Sequence, residues 1–279
     1  MADKARLTAL TDIGSGPALV FLHGWSVDRS FFAAQEALAA AGFRVVIPDL
    51  HGHGDRGIGG AAPTMAGLAD DLAGLLRELR LTSVTLIGWS MGATVALEYL
   101  ARYGATGIAG LVIVDMTPKV PNAPDWPYGL SSGQNLAEAM DAASRIERDW
   151  PRYAPKIARA MFAPRRSDDD PLILQAVERI AARDPEVMAL IWRSLVAADH
   201  RAAVENLPVP ILAIAGAESQ LYRPDVARWI AAHARDGKAV EIPGAGHAPH
   251  LEQPGAFNEA VAAFAHRLQD GTLSRRPTS

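Results

Sequence analysis

Six short apolar runs punctuate the chain: Ala18–Leu22, Phe43–Ile47, Val84–Ile87, Ala109–Val114, Pro210–Ala215 and Ala239–Ile242. They stop in turn at His23-Gly24, Pro48-Asp49, Gly88, Asp115, Gly216 and Pro243-Gly244. A strand covered on both faces reads as an unbroken apolar run rather than an alternating one, so these segments are expected to be buried parallel strands. Between them, Phe31–Ala41, Met65–Leu79, Met91–Tyr103, Pro224–Ala234 and Ala256–Leu268 repeat apolar positions every three to four residues, the period of a helix. Strands alternating with helices predict an α/β fold: a mostly parallel central sheet with helices on both faces. In such a sheet, functional groups collect in the loops beyond the carboxyl ends of the strands.

One stretch breaks the rhythm. Residues 117–206 offer no clear strand, nine prolines (from Pro118 to Pro185) and three of the six tryptophans: Trp126, Trp150 and Trp192. This stretch is expected to be a helical cap lying over the strand ends, inserted after strand 6, with residues 1–116 and 207–268 forming the core. Residues 269–279 are polar and are expected to be a disordered tail.

Composition narrows the function classes. With 279 residues, 49% hydrophobic and 21% charged, the chain has an ordinary globular make-up. A formal net charge of −4 gives no electrostatic reason to expect nucleic acid or an anionic membrane as partner. No cysteine is present, which excludes disulfides, thiolate metal sites and a cysteine nucleophile, and fits a cytoplasmic location. No uninterrupted apolar run approaches the roughly 18 residues that span a bilayer. Monomer and homodimer are equally open.

The chemistry concentrates in three places. Gly88-Trp89-Ser90-Met91-Gly92 follows a predicted strand and opens a predicted helix. A serine on such a sharp, strained turn has its hydroxyl exposed, and small residues two before and two after it let the neighbouring elements approach. Ser90 is therefore the candidate nucleophile, and a serine that merely caps the helix is the plainer alternative. A serine needs a base at neutral pH. His247, in Pro243-Gly244-Ala245-Gly246-His247 after the last strand, is preferred over His250, because the glycines let the loop bring its ring back over the turn. An oxyanion needs two backbone N–H groups: those of Met91, after the nucleophile, and Trp25, in His23-Gly24-Trp25-Ser26 after the first strand. Trp89, Trp126, Trp150 and Trp192 are candidate substrate-binding residues, or else they simply pack cap on core. His51 and His53 in Asp49-Leu50-His51-Gly52-His53-Gly54 lack the carboxylates of a metal site and are taken as loop residues. No metal is expected.

These motifs, HGW at 23–25, DLHGHG at 49–54, GWSMG at 88–92 and GAGHAPHLEQP at 244–254, resemble the α/β-hydrolase superfamily. The likeness is to its small esterase, lactonase and haloperoxidase-like members, and it covers residues 16–116 and 207–268 but not the cap. It implies a serine hydrolase that cleaves a small carboxylic ester or lactone through an acyl-enzyme, without a cofactor. In that superfamily the acid usually stands three residues after the glycine that ends the later strand. Here that segment is Gly216-Ala217-Glu218-Ser219, with Ser219 where an aspartate is expected. Asp115 at the end of the neighbouring strand is the favoured acid, Glu218 the alternative and Asp225 a third. The same fold also hosts cofactor-free dioxygenation, perhydrolysis, hydroxynitrile lysis and C–C bond hydrolysis, and it can serve as a binding scaffold without catalysis.

Overall fold

The computed structural model describes residues 8–58 and 63–271. Among these residues, seven strands form one sheet in the order β1-β3-β2-β4-β5-β6-β7. They are β1 Leu10–Gly14, β2 Ala18–Leu22, β3 Arg44–Pro48, β4 Val84–Trp89, β5 Ile108–Val114, β6 Ile211–Gly216 and β7 Gly237–Ile242. β1 runs antiparallel to β3, and every other pairing is parallel. The central strands are apolar because both faces are covered: all of β2, β4 and β6 is buried. Each Val, Leu, Ile or Phe buried there contributes roughly 1.5–3 kcal/mol of transfer free energy. β1 lies outside the predicted set. Its sequence, Leu-Thr-Asp-Ile-Gly, is half polar because it is an edge strand left largely exposed.

The helices follow from the crossovers. α1 (Arg29–Ala39, wound in 3₁₀ turns and kinked at Phe32) and α11 (Pro254–Gln269) pack together on one face of the sheet. α2 (Met65–Glu78), α3 (Met91–Tyr103) and α9 (Asp225–His233) form the right-handed crossovers on the other face. The chain passes from β2 outward to β3, then jumps back across β2 to β4. This reversal opens a crevice beyond the carboxyl ends of β2 and β4, where ligands bind in open α/β sheets. The loop of Trp25 and the turn of Ser90 both arise there.

In this chain's own count the helical insertion follows β5. It holds α4 (Leu136–Arg148), α5 (Trp150–Ala160), α6 (Pro171–Ala181), α7 (Pro185–Ala197) and α8 (Arg201–Asn206). Its prolines are helix starts as much as loop residues. Pro151, Pro171 and Pro185 sit in the first turns of α5, α6 and α7, where a missing N–H costs nothing. Asn135, Asp170 and Asp184 cap α4, α6 and α7 with side-chain oxygens. The insertion's two ends are clasped by the Lys119–Asp199 bridge, by their 3.3 Å ion pair and by His200 N–H donating to Pro118 O. α11 runs through Gln269, one residue into the segment expected to be a tail, and residues 272–279 lie outside the described residues. No helix of the described residues is long and apolar enough to cross a membrane.

A short helix, α10 (Pro249–Glu252), precedes α11 and carries a carboxylate with a structural task. The Glu252 side chain is fully buried. Its Oε1 accepts the Gly246 N–H at 2.6 Å, and its Oε2 accepts the Ala163 N–H and Arg166 Nε–H, both at 2.9 Å. One buried carboxylate thus ties the loop of His247 to the end of α5 in the insertion, and its three donors offset the cost of burying the charge.

Candidate active site

Ser90 sits between β4 and α3 with φ 53° and ψ −123°, a left-handed conformation that costs a non-glycine residue about 1–3 kcal/mol. Its hydroxyl makes no capping hydrogen bond to α3, so it is not spent on the helix. The backbone holds the strain: Ser90 N–H donates to Val114 O at 3.0 Å, and Ser90 O accepts Ala93 N–H at 2.9 Å. The flanking glycines are needed for space. A Cβ on Gly88 would overlap the backbone of Ala93, and one on Gly92 would overlap the carbonyl of Leu22.

His247 follows β7 in a loop pinned on several sides. Its carbonyl accepts Trp89 Nε1–H at 2.7 Å, and Ala248 N–H donates to Met161 O at 3.0 Å. A Cβ on Gly246 would overlap the backbone of Phe162 and Ala163, and one on Gly216 would overlap the Gly246 carbonyl, so neither position takes a side chain. The His247 ring is buried, and its Nδ1 lies 2.8 Å from Asp115 Oδ1. With an aspartate as acceptor, Nδ1 carries the proton and Nε2 keeps a free lone pair. Ser90 and His247 line the same cavity without a hydrogen bond between them. Such bonds commonly tighten only when substrate is bound.

Of the three acid candidates, Asp115 alone meets His247. It follows β5 at φ 44°, another strained position, with its side chain 1% exposed. Oδ2 accepts Gly216 N–H at 2.9 Å, and Oδ1 accepts Ser219 Oγ–H at 2.7 Å beside the His247 Nδ1–H. Glu218 turns away to an ion pair with Arg165 at 3.0 Å. Asp225 opens α9 and pairs with Arg228.

The oxyanion-hole candidates also converge. A Cβ on Gly24 would stand 3.4 Å from Ser90 Cβ, so the loop before Trp25 passes close to Ser90. Among the described residues, no acceptor takes the Trp25 or Met91 N–H. Met91 opens α3, whose N-terminal dipole favours negative charge at this point. The HGW loop is held in place by two histidines. His23 Nε2 accepts Leu50 N–H at 2.9 Å, while its Nδ1–H donates to Gly24 O at 2.8 Å; His53 Nε2 accepts Ser26 N–H at 3.2 Å. His23 and His53 therefore brace the loop as neutral rings. Among the described residues, no group of three His, Asp or Glu side chains is placed to share a metal ion.

Burial drives the ring pKa values of His23, His53 and His250 below the ordinary histidine value, those of His53 and His250 well below it. In the unfolded chain the same rings take up protons near about pH 6.5. Their neutral state thus contributes its full stability above about pH 6.5. That stability is lost as the pH falls from there towards the lower folded values, at up to about 1.4 kcal/mol per ring per pH unit. Urea midpoints measured from about pH 8 down to about pH 5 should fall across this window, and a flat profile would contradict the burial of these rings as neutral groups.

The cavity above Ser90 has a volume of about 300 Å³ and is walled chiefly by Leu130, Ile146, Ile157, Met161, Leu195 and Leu221. Trp25, Trp89 and Trp192 line it. Trp150 stands behind, its ring edge-on to Trp25 at 5.8 Å and its Nε1–H on Ile180 O at 3.1 Å. Trp126 is not brought to the cavity. It packs edge-on to Trp229 at 4.7 Å with the Arg201 guanidinium over its ring, because its Nε1–H is drawn to Lys119 O at 2.8 Å in the clasp of the insertion. The indoles work as stitches as well as walls: Trp25 Nε1–H donates to Met188 O at 3.0 Å and Trp192 Nε1–H to Ala139 O at 2.8 Å. Five polar wall residues, Ser132, Gln134, Tyr153, Lys156 and Tyr222, were not singled out in the sequence. Tyr222 lies 5.7 Å from the His247 ring, and burial next to the Asp115 charge pushes its phenol up, so it stays a neutral hydrogen-bond donor.

The seven-stranded sheet, the strained serine between strand and helix, and the Asp–His pair beyond the strand ends define an α/β-hydrolase. Residues 19–260 match the alpha/beta hydrolase family, and the chain belongs to it as an enzyme of that family. It is 30% identical over 243 residues to a pimeloyl-[acyl-carrier protein] methyl ester esterase of Aromatoleum aromaticum, covering 85% of this chain and 94% of that protein. A protein of the same description from Nitrosospira multiformis is 25% identical over 261 residues, covering 91% and 96%. Among solved structures, a thermophilic esterase from Thermogutta terrifontis superposes with a TM-score of 0.81 at 27% identity, covering 93% of each chain.

Proposed function

We propose that this chain is a serine hydrolase that cleaves a small carboxylic ester or lactone through an acyl-enzyme on Ser90. The observation that carries the reading is the 2.8 Å Asp115–His247 contact beside a strained serine whose hydroxyl is free of the helix. The esterase names of its relatives support the same reaction class. His247 Nε2 takes the proton of Ser90 Oγ as the oxygen attacks the substrate carbonyl. Asp115 holds the ring and stabilises its charged form. The N–H groups of Trp25 and Met91 receive the oxyanion. His247 then returns the proton to the leaving alcohol, and water repeats the sequence to release the acid.

In this reading the insertion is a cap that encloses the acyl or alcohol arm of the substrate. A 300 Å³ apolar cavity suits a small or medium aliphatic or aromatic group, and Tyr222 and Gln134 offer hydrogen bonds to a polar one. The cysteine-free sequence accords with work in the cytoplasm on a small molecule. A panel of p-nitrophenyl esters and lactones, run with wild type and Ser90→Ala, tests the proposal. Turnover of at least one series by wild type and none by the variant is expected. Equal turnover by both would overturn it.

A further inference from the structure

We infer that Ser219 is a positioning residue for the reaction, its hydroxyl orienting the Asp115 carboxylate so that Oδ1 is presented to His247 before any substrate arrives. The inference rests on the reading of Asp115 as the acid.

The direction of each hydrogen bond here is dictated. An ionised carboxylate has no proton to give, so at 2.7 Å the Ser219 hydroxyl must donate to Asp115 Oδ1. The Ser219 oxygen in turn accepts the Tyr222 N–H at 3.3 Å, which leaves its hydrogen directed at the carboxylate. Asp115 Oδ2 is already held by Gly216 N–H at 2.9 Å. The protein therefore grips both oxygens independently of His247, one from the end of β6 and one from three residues beyond it. Without Ser219, Gly216 and the imidazole alone would set the plane of the carboxylate. The terminal torsion of an aspartate is broad, so a single hydrogen bond to Oδ2 leaves the carboxylate plane room to swing. The imidazole must also move its proton and take on charge during turnover, and an anchor that does not titrate keeps the acceptor in place through those changes.

The same chain of bonds explains why an alcohol suits position 219. With a carboxylate already at 115, a second one at 219 would place like charges side by side. A hydroxyl supplies a donor where the neighbouring acid needs one. The bond from Tyr222 N–H also links the acid to the cavity wall, because the Tyr222 ring lines the substrate space.

The test is steady-state kinetics on Ser219→Ala, Ser219→Cys and Ser219→Thr beside Asp115→Asn, on an ester that wild type turns over, with the melting temperature of each variant recorded. Loss of a donor to a charged group predicts a fall in kcat of roughly ten- to a hundredfold in Ser219→Ala, with KM within about twofold. Ser219→Cys, nearly isosteric but a weak donor, should fall in the same way, and it serves if the alanine variant does not fold. Ser219→Thr keeps the hydroxyl and should recover most of kcat. If kcat holds in both donor-poor variants, or only KM rises, while Asp115→Asn is inactive, Ser219 merely shapes the wall at Tyr222. That result overturns the proposal and leaves Asp115 as the acid. If Asp115→Asn itself retains wild-type kcat, the reading of the acid fails and the role of Ser219 falls with it.

Discussion

Ser90→Ala is expected to lower kcat for ester hydrolysis by about 10⁶-fold, the scale seen when the nucleophile of a Ser-His-Asp group is removed. The variant should still fold and still bind substrate analogues. Ser90 is half-buried at the floor of the cavity, and its hydroxyl supports no helix cap. Its strained backbone is held by Val114 O and by the two glycines, none of which the substitution touches. The alanine loses only the attacking oxygen. Any residual rate over water would come from the Trp25 and Met91 N–H groups and from binding. Activity within tenfold of wild type in a folded alanine variant would mean that the cavity works without a covalent serine, as a base acting directly on substrate or water.

Asp115→Asn should cost about 10⁴-fold in kcat, with the fold retained. Asparagine preserves the shape, and its carbonyl oxygen can take the place of Oδ2 on Gly216 N–H. Its amide nitrogen would then face both Ser219 and His247 Nδ1, as a donor where an acceptor stood. His247 would be pushed towards the tautomer with Nε2 protonated, leaving no lone pair to receive the serine proton. Glu218→Gln should change kcat by less than about twofold, because Glu218 is part-exposed and engaged with Arg165. Kinetics on the pair separates the two acids cleanly: a large loss in Glu218→Gln with a mild one in Asp115→Asn would reassign the role.

The parts of this fold that were legible in the sequence are those with a physical reason to look regular. β2, β4 and β6 are covered on both faces, so their apolar runs are unbroken. β1 escaped notice because an edge strand has no such need, and among the described residues its only ladder is with β3. The serine turn was legible because its constraints are local: two glycines and a strand-to-helix reversal within five residues. The partnership of Asp115 and His247 spans 132 residues of chain. No local pattern encodes which of Asp115, Glu218 and Asp225 points inward, and the sheet order decides it by placing the end of β5 beside the end of β6. Ser219 looked like a missing acid, but in the fold it is a hydrogen-bond donor to the acid beside it. Trp126 read as a cavity aromatic because indoles favour pockets, yet its N–H is committed to Lys119 in the clasp of the insertion. Tyr222 and Gln134 lie on loops, where nothing periodic announces which side chain turns inward. No local pattern in the sequence marks Glu252, and only the fold reveals the three donors that surround it.

An acyl-enzyme requires a covalent bond to Ser90, and that bond can be trapped. Wild type is incubated with a fluorophosphonate ester and its intact mass and peptide masses are read. A single phosphonyl adduct located on Ser90, loss of ester turnover in step with labelling, and no adduct in Ser90→Ala are expected. Ester turnover that persists undiminished in fully exposed enzyme, with Ser90 unlabelled, would contradict an acyl-enzyme on Ser90.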